Sequence, residues 1–364
     1  MQISSKIQAL LPRPTPHSLG YRMPAEWHPH EGTWFSWPHN PDTWVRHLPA
    51  AERALAEAVG WLAKGETVHI NVLDKYHRDH VATILQDAGI NEGIAFHLFP
   101  TNDSWCRDHG AIFLVHPEEP GYAAIDWGFN AWGEKYPPFD LDNAIPRQMA
   151  DVMQARLFES PFILEGGSIE VNGAGTLLTT ETCLLNPNRN PGYQKTDIEW
   201  LLKEMFGVHQ VVWLAGDLVG DDTDGHIDNL ARFVDEGTIV VPVEANPDDP
   251  NYASLAANFA LLQQVKNAKD EAFEIITLPM PAPYFIDGHR LPANYVNFYI
   301  GNGVVLMPTF GDPNDEVALS MLQSCFKDRQ MVPINCREII WGLGALHCLS
   351  QQVPRSYTGD GNNF

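Results

Sequence analysis

The chain has 364 residues, of which 44% are hydrophobic and 19% charged, a composition typical of a folded globular protein. This composition excludes a disordered chain, a collagen-like repeat and a small disulfide scaffold. With 46 acidic and 23 basic side chains, the formal net charge is −23, which argues against nucleic acid or anionic membranes as partners and favours a cationic ligand.

A unit of two strands joined by a tight turn, then a helix, then a single strand recurs along the chain. A loose first copy places a strand at 33–37, a helix at 50–63 and a strand at 67–73, and a second copy begins with a hairpin at 111–126. Clearer copies begin with hairpins at 168–180, 230–243 and 295–308. Their helices are predicted at 196–206, 252–265 and 315–327, and their single strands at 208–214, 273–278 and 330–334.

The turn glycines Gly173, Gly237 and Gly303 set a period of about 65 residues, so the chain accommodates about five units. One unit is too small to bury both faces of its sheet, and the units must therefore stack or pack around a shared axis. The alternative fold, a doubly wound parallel sheet, predicts simple alternation of strand and helix without hairpins at this period. The pattern favours an α/β fold built from repeats.

The cysteine pattern and the N-terminus bear on the cellular compartment. The chain has five cysteines, and none forms a CxxC pair. Because their number is odd and no signal-type apolar segment precedes them, we expect free thiols in a reducing compartment and a cytoplasmic protein. No apolar run is long enough to span a membrane. We expect no membrane or nucleic-acid partner and no cofactor, and the sequence is compatible with a homo-oligomer.

Polar, glycine-rich segments occupy the same place in each unit, between the single strand and the next hairpin. They are segments 103–110, 165–168, 220–229, 287–290 and 341–348. Equivalent loops of a closed repeat array lie at the same end of its axis. We therefore expect the chemically active residues of these loops to converge: Asp108, Glu165, His226, Asp228 and Cys348.

Cys348 is the candidate nucleophile. A thiolate is intrinsically nucleophilic, and Cys348 follows a glycine-containing segment and precedes the polar Ser350. Cys106 is a rival, because it also lies in a polar loop. The other cysteines are interpreted as buried structural thiols: Cys183, Cys325 and Cys336.

His226 is the candidate proton shuttle, because an imidazole both accepts and donates protons near pH 7. It lies between Asp224 and Asp228, and Gly225 allows the backbone to turn sharply. His109 and His347 are alternative shuttles.

Asp108, Glu165 and Asp228 are carboxylates in loops that we expect to be partly buried. A buried carboxylate requires a partner, either an Arg or Lys of the protein or a cationic ligand. A planar guanidinium suits several carboxylates because it offers paired N–H donors. The acidic segment 221–228 raises the alternative of a divalent-metal hydrolase, although its spacing matches neither an EF-hand nor HExxH.

Several of these segments together resemble the agmatine deiminases and the related bacterial peptidylarginine deiminases of the guanidino-group-modifying superfamily. The matching segments are GYRMPAEW at 20–27, RDHG at 107–110, DWGFNAWG at 126–133, EGGS at 165–168, TDGHID at 223–228 and HCLSQQ at 347–352. The resemblance covers almost the whole chain. It implies a five-bladed, pseudo-fivefold α/β propeller, the pentein fold, in a single domain over residues 1–364.

The resemblance also implies roles for the residues in these motifs. Cys348 corresponds to the nucleophile, His226 to the acid/base, and Glu165 to the group that orients the histidine. Asp108 and Asp228 correspond to the clamp on the guanidinium nitrogens. We expect Trp105 and Trp132 to be further substrate-binding residues, and we expect no catalytic metal.

The sequence departs from the family pattern in two places. The Gly-Gly-Gly-Asn run that precedes the family's cysteine is Gly342-Leu343-Gly344-Ala345 here, and Glu134 replaces a glycine of the tryptophan loop. We expect the chemistry to survive these changes, with an effect on substrate preference or rate.

The reaction implied by the resemblance is hydrolysis of agmatine to N-carbamoylputrescine and ammonia, a step of polyamine synthesis. Peptidyl-arginine and free arginine are alternatives, since Arg107, Lys135 and Arg290 lie in the motif loops and could bind a carboxylate. Amidinotransfer to an amine is the same chemistry with a different acceptor. The non-enzyme alternative is a polycation-binding protein with a degenerate site.

Overall fold

A computed structural model describes residues 5–357 as a mixed α/β fold. The strands, in chain order, are β1 His30–Ser36, β2 Thr67–Asn71, β3 Ile94–His97, β4 Ile112–Val115, β5 Tyr122–Gly128, β6 Arg156–Ile163, β7 Ile169–Val171, β8 Thr176–Thr180, β9 Gln210–Leu214, β10 Arg232–Phe233, β11 Thr238–Val243, β12 Glu274–Pro279, β13 Phe285–Ile286, β14 His289–Arg290, β15 Tyr299–Ile300, β16 Val304–Thr309, β17 Gln330–Asn335 and β18 Ser350–Pro354.

The helices, several of them single turns, lie between these strands. They are α1 Ser5–Leu10, α2 Pro41–Trp44, α3 Leu48–Leu62, α4 Lys75–Asp87, α5 Cys106–His109, α6 Ala131–Glu134, α7 Ile145–Val152, α8 Glu181–Leu184, α9 Lys195–Phe206, α10 Tyr252–Leu262, α11 Asn314–Cys325 and α12 Leu346–Leu349. Across residues 5–357, none of these helices has the length and apolar character needed to cross a membrane.

The sheets share one topology. Four sheets have three strands each, in the orders β4-β5-β6, β7-β8-β9, β10-β11-β12 and β15-β16-β17. In each, the first two strands form an antiparallel hairpin and the third lies parallel to the second, after a helical crossover. The predicted unit of hairpin, helix and strand is therefore present, and the alternative of one doubly wound sheet is wrong.

The first sheet is completed by the last strand of the chain. Its order is β18-β1-β2-β3, with β18 antiparallel to β1 and the other pairs parallel. The register places Gln351 opposite Trp34 and Ser350 opposite Phe35. Because α12 directly precedes β18, this pairing fixes the predicted nucleophile against the first unit of the chain.

Local signals explain where the crossover helices begin and end. Asp74 caps α4 by accepting hydrogen bonds from the backbone N–H groups of Tyr76 and His77. A capping box between Gln194 and Asp197 begins α9, and the helix ends at Gly207, which has φ +68°.

The crossover helices bury apolar faces against the sheets. In α3, the buried residues include Leu55, Val59 and Leu62, each with no exposed surface. Full burial of one such side chain contributes about 1.5–3 kcal/mol. The loops at the ends of the strands are thereby held on rigid elements, which is what a site assembled from several loops requires.

Candidate active site

Gly167 lies among three of the side chains that the sequence predicts to converge. A Cβ atom at this position would lie 2.5 Å from Nδ1 of His226, 2.7 Å from Oδ1 of Asp108 and 3.1 Å from Oδ2 of Asp228. Only a residue without a side chain allows these groups to approach so closely. The structure thus brings together loops that are far apart in the sequence.

Cys348 lies on α12, and its side chain lines a cavity of about 540 Å³. Its Sγ accepts a hydrogen bond from Nδ2 of Asn297 at 3.1 Å, and its S–H points to Oδ2 of Asp228 at 3.5 Å. Burial, with the nearby carboxylates of Asp228 and Asp108, raises the pKa of the Cys348 thiol well above its ordinary value. This environment therefore favours the neutral thiol of Cys348 over the thiolate.

The segment before Cys348 packs on Trp105. A Cβ at Gly342 or Gly344 would lie 2.4 Å or 2.5 Å from the indole of Trp105, so both glycines are required by this contact. Leu343 lies between them with φ +69°, a left-handed conformation that favours glycine. Leu343, which replaces a glycine of the family pattern, therefore places its side chain in the cavity wall, and its backbone is strained as a result.

His226 is fully buried behind the cavity. Its Nδ1 lies 3.6 Å from Oδ1 of Asp108, and its Nε2 lies 3.9 Å from Oε2 of Glu165. Burial lowers the pKa of His226, but the carboxylate of Asp108, the Cys183 side chain and the carboxylate of Glu165 together raise it well above the ordinary value. The surrounding acidic groups therefore favour the protonated form of His226.

The backbone around His226 is held by its own loop. Its N–H donates to Oγ1 of Thr223 at 3.0 Å and to Oδ2 of Asp221 at 3.2 Å. Gly225 has φ +97°, and a Cβ there would lie 2.3 Å from the carbonyl oxygen of Gly216. The predicted sharp turn at Gly225 is confirmed.

Glu165 is fully buried and held by Arg189, whose Nε donates to Oε1 at 2.6 Å. Within the described part of the chain, the other oxygen, Oε2, has no hydrogen-bond partner, and it faces His226. Arg189 is in turn fixed by Oδ2 of Asp224 at 2.8 Å. One oxygen of Glu165 is thus anchored while the other is available to the histidine.

Asp108 is held by two donors. Nε1 of Trp132 donates to Oδ2 at 3.0 Å, and the backbone N–H of Gly167 donates to Oδ1 at 3.0 Å. Burial raises the pKa of Asp108 to about 6, His226 opposes this change, and the carboxylates of Asp228 and Glu165 add to it. A guanidinium would relieve the repulsion between these carboxylates and bring the pKa of Asp108 down.

Asp228 is fully buried and accepts a 2.7 Å hydrogen bond at Oδ2 from Nδ1 of His347. Its other oxygen, Oδ1, has no partner among residues 5–357. Burial raises the pKa of Asp228, but the hydrogen bond and charge of His347, together with the charges of His226 and Arg232, outweigh burial and leave the pKa below the ordinary value. Asp228 is therefore ionised, with one oxygen free.

The cavity is lined by acidic and aromatic side chains. Trp105, Trp132 and Asp108 line it with Cys348, whereas His226, Glu165 and Asp228 lie behind this first layer. The aspartates that line the cavity are Asp42, Asp103, Asp108, Asp142 and Asp222. Among the described residues that line it, none is Lys or Arg. The cavity therefore suits a cation with an apolar stem.

The three basic residues that the sequence suggested as partners for a substrate carboxylate already bind other side chains of the protein. Arg107 donates to Gln352 at 2.6 Å, Arg290 donates to both oxygens of Asp249 at 2.8 Å, and Lys135 donates to Asp224 at 2.9 Å. None of the three lines the described cavity.

The alternative nucleophile and the alternative proton shuttles suggested by the sequence lie in environments less suited to these roles. Cys106 is fully buried among apolar side chains, and burial raises its pKa to about 12. His109 is also buried, which lowers its pKa to about 3. Both ring nitrogens of His347 are engaged by carboxylates.

Two residues beside the site had no functional signal in the sequence. Asn297, which contacts Cys348, comes from the loop before β15, whereas the polar segment 287–290 forms an exposed hairpin of β13 and β14 instead. Cys183, interpreted as a purely structural thiol, has its Sγ within 4.8 Å of His226 and Glu165. Neither contact follows from residue type or spacing.

The acidic loop 221–228 is occupied by internal hydrogen bonds. Asp221 accepts from the backbone and hydroxyl of Thr223, and Asp224 accepts from Lys135 and Asn188. Within residues 5–357, the donor group spaced to hold a metal is instead that of Glu165, Cys183 and His226. A metal there would occupy the predicted acid/base.

The comparisons with known proteins agree with this geometry. The model of the family described as Porphyromonas-type peptidyl-arginine deiminase matches residues 22–354. The agmatine deiminase of Pseudomonas aeruginosa is 36% identical over 366 residues, covering 94% of this chain and 98% of the relative. The structure of Enterococcus faecalis agmatine deiminase superposes with a TM-score of 0.85 at 30% identity, covering 94% and 98% of the two chains. That of C. jejuni agmatine deiminase gives 0.81 at 32% identity, covering 92% and 96%. The chain therefore belongs to the Porphyromonas-type peptidyl-arginine deiminase family.

Proposed function

We propose that this chain hydrolyses the guanidinium group of agmatine to N-carbamoylputrescine and ammonia, with Cys348 as the nucleophile. The observation that carries the proposal is the cavity above Cys348, which is lined by aspartates and, among its described lining residues, by no Lys or Arg. Agmatine is a dication with a guanidinium at one end and an ammonium at the other. Its two charges match a carboxylate clamp at the base and acidic walls above it.

Free arginine fits this cavity less well. Its α-carboxylate would lie against the acidic wall, and like charges brought together at a binding site cost several kcal/mol. Arg107, Lys135 and Arg290 are each paired elsewhere, so they are not placed to offset that repulsion.

A peptidyl-arginine is disfavoured by contacts between the tryptophan segment and the loop that carries His226. Lys135 donates to Asp224 at 2.9 Å and to the carbonyl of Asp222 at 2.6 Å, and the hydroxyl of Tyr136 bonds to the carboxylate of Asp222. These contacts tie the tryptophan segment, residues 131–136, to the loop that carries His226. Because Tyr136 and Asp222 line the cavity, the backbone of a peptide substrate would compete with their contact.

In the first step, Asp108 and Asp228 bind the guanidinium through its paired N–H groups and present its central carbon to Cys348. Trp105 and Trp132 line the path of the apolar stem. The positive charge of the substrate lowers the pKa of the Cys348 thiol, and the thiol proton passes to solvent, where it later converts the departing ammonia to ammonium. Substrate binding thereby creates the thiolate.

In the second step, Sγ of Cys348 forms a bond to the guanidinium carbon, giving a tetrahedral adduct. The imidazolium of His226 gives its proton to the leaving amino group, and ammonia departs. Cys348 then carries an S-amidino group with the rest of agmatine attached.

In the third step, the neutral His226 takes a proton from water, and the hydroxide adds to the amidino carbon. The adduct collapses, the C–S bond breaks, and the hydroxyl proton of the adduct returns to the Cys348 thiolate as the neutral ureido product leaves. Glu165 orients His226 and stabilises its charged form through the oxygen that Arg189 leaves free. The balance is one guanidinium and one water converted to one ureido product and one ammonium.

For the architecture, we propose that residues 1–364 form a single domain with five blades closed around an axis. Support comes from the repeated sheet topology and from the pairing of β18 with β1, which joins the last unit to the first. Propeller folds close in this way to protect sheet edges.

The test measures ammonia and ureido product from purified protein given agmatine, arginine or an N-blocked arginine peptide. Cys348→Ala is the control for thiol chemistry. Turnover of agmatine alone, lost in the variant, supports the proposal. Preferential turnover of the peptide moves the assignment to peptidyl-arginine. Binding of agmatine without product would favour the non-enzyme alternative, and loss of activity to a chelator would favour the metal hydrolase.

A further inference from the structure

Asn297 presents its side-chain amide to the sulfur of Cys348. Its Nδ2 lies 3.1 Å from Sγ, and both side chains are buried. Its Oδ1 accepts from the backbone N–H of His347 at 3.1 Å and from that of Cys348 at 3.4 Å. Because a backbone N–H can only donate, the atom that receives these two bonds is the amide oxygen. The amide nitrogen of Asn297 is therefore the atom that faces the sulfur.

Two further buried amides hold Asn297 in this orientation. Oδ1 of Asn229 accepts from Nδ2 of Asn297 at 3.1 Å and from Nδ2 of Asn294 at 3.0 Å. Asn294 is fixed in turn, because its Oδ1 accepts from the backbone N–H of Asn297 at 3.1 Å and its Nδ2 donates to the carbonyl of Pro292 at 2.9 Å. An amide nitrogen carries two N–H groups. One N–H of Asn297 binds Asn229, and the other is left for Cys348.

This amide network joins three separate parts of the site. Asn294 and Asn297 belong to the segment before β15, Cys348 lies on α12, and Asn229 directly follows Asp228 in the loop that carries His226. Within the network, the side chain that contacts the reacting sulfur is that of Asn297. The other two amides act on the sulfur through it.

The sulfur of Cys348 faces both negative groups and hydrogen-bond donors. Burial and the carboxylates of Asp228 and Asp108 raise the pKa of the thiol, whereas the backbone of Ala345 and the side chain of Asn297 lower it. A donor that already points to a developing charge in a buried site stabilises that charge without any rearrangement of its surroundings. The held N–H of Asn297 is such a donor for a thiolate.

We propose that Asn297 is a catalytic residue that donates its side-chain N–H to the thiolate of Cys348 and holds the sulfur in place for attack on the guanidinium carbon. Asn229 and Asn294 are positioning residues that hold this amide. The inference rests on the proposed function for its substrate. Asn297 gains and loses no proton in this role, which separates it from the shuttle role of His226.

The first test is Asn297→Asp, which keeps the side-chain shape and the oxygen that accepts from the backbone but replaces the N–H donor with a carboxylate oxygen. Alkylation of Cys348 by iodoacetamide, measured at pH 9 by peptide mapping with and without guanidinium ion, reports how much thiolate is present. We expect the rate to fall about 10- to 100-fold, the effect of losing one hydrogen bond to a charged group. We expect kcat for agmatine to fall about 100- to 1,000-fold, as for loss of one oxyanion-hole donor.

The matched control is Asn258→Asp in α10. Asn258 is also buried, and its side chain accepts from the N–H of Ala215 at 3.0 Å and donates to the carbonyl of Ala215 at 2.9 Å. The same substitution therefore breaks a buried amide that does not line the described cavity. Cys348 should be alkylated in Asn258→Asp at the native rate. Equal alkylation rates in Asn297→Asp and Asn258→Asp would overturn the proposal.

The second test uses the unsubstituted chain and does not depend on the folding of a variant. ¹⁵N NMR follows the side-chain N–H resonances of Asn297, assigned through its own backbone amide, from pH 6 to 10 in the presence of guanidinium ion. We expect a resonance to move with the same midpoint as the alkylation rate of Cys348. A resonance that stays in place while the thiol ionises would contradict the proposal. If agmatine is not a substrate, the activity assay shows it, while alkylation and this spectrum still decide the role of Asn297.

Discussion

Nε1 of Trp132 donates a 3.0 Å hydrogen bond to Oδ2 of Asp108, so a residue of the cavity wall also orients the proposed guanidinium clamp. This bond lowers the pKa of Asp108 against the effect of burial. A tryptophan that only stacked on the substrate would leave the carboxylate unaffected.

Trp132→Phe tests this relationship, because it keeps an aromatic wall and removes the N–H donor. We expect KM for agmatine to rise about 10-fold or more, since a hydrogen bond to a charged group contributes about 1.5–3 kcal/mol. The acid limb of kcat/KM should move above pH 6, because the pKa of Asp108 rises when the donor is lost. Steady-state kinetics from pH 5 to 9 measure both effects, and an unchanged acid limb would show that the bond does not tune Asp108.

Gly167→Ala should abolish activity, because the added methyl group would lie 2.5 Å from the ring of His226 and 2.7 Å from Asp108. We expect a loss of kcat of about 100-fold or more, comparable to a misplacement of catalytic groups by about 1 Å. The matched control is Gly237→Ala, a turn glycine whose nearest atom to a new Cβ lies 3.8 Å away. Activity and circular dichroism of both variants are compared, and an active Gly167→Ala would contradict the packing described here.

Asp142→Asn should change how stability depends on pH. Burial raises the pKa of Asp142 to about 8 in the folded chain, whereas an unfolded Asp titrates near 4. Between these values the folded state binds the extra proton, so the free energy of unfolding falls as pH rises toward 8. The asparagine oxygen can still accept from the backbone N–H of Asn102, which donates to Asp142 at 2.7 Å.

The free energy of unfolding of the native chain should fall between pH 5 and pH 8, and that of Asp142→Asn should not. We therefore expect the difference between the two chains to shift by about 1–3 kcal/mol in favour of Asp142→Asn over this range. Urea unfolding at the two pH values measures this difference. Asp151→Asn, at an exposed position of α7, is the control and should show no such gain. A difference that is independent of pH would show that Asp142 is ionised in the folded state.

The acidic walls should contribute to the recognition of a second positive charge. We expect Asp103→Asn and Asp222→Asn each to lower kcat/KM for agmatine about 10-fold, since both side chains line the cavity. One contact between opposite charges at the surface of the cavity contributes a few kcal/mol at most. Butylguanidine lacks the terminal ammonium and is the matched substrate. Its kcat/KM should be nearly unchanged in both variants, and an equal loss with both substrates would assign the aspartates a structural role.

Much of the fold follows from local sequence signals. The hairpins at 168–180, 230–243 and 295–308 and the helices after them lie close to their predicted bounds, because turn glycines and apolar periodicity are local properties. The small hairpin of β13 and β14 was not predicted as such. It interrupts the unit and carries the polar segment 287–290 away from the cavity, which leaves Asn297 to contact Cys348.

The motif loops of the predicted site also converge as the repeat period indicates, and Gly167 lies at their meeting point. The hydrogen-bond and ion-pair partners of the site residues could not be predicted in the same way. His347 pairs with Glu26 across 321 positions, and Arg189 with Glu165 across a crossover connection. Such pairs depend on tertiary packing, and neither residue type nor spacing distinguishes them from surface charges.

In the proposed reaction, Cys348 attacks the guanidinium carbon of agmatine. The most direct measurement is mass spectrometry of the intact chain after acid quench during turnover of agmatine, followed by peptide mapping. We expect an adduct on Cys348 with the mass of agmatine less ammonia. The adduct should be absent from Cys348→Ala, which should also release no ammonia. Ammonia release by Cys348→Ala, or an adduct on Cys106 instead, would contradict the mechanism.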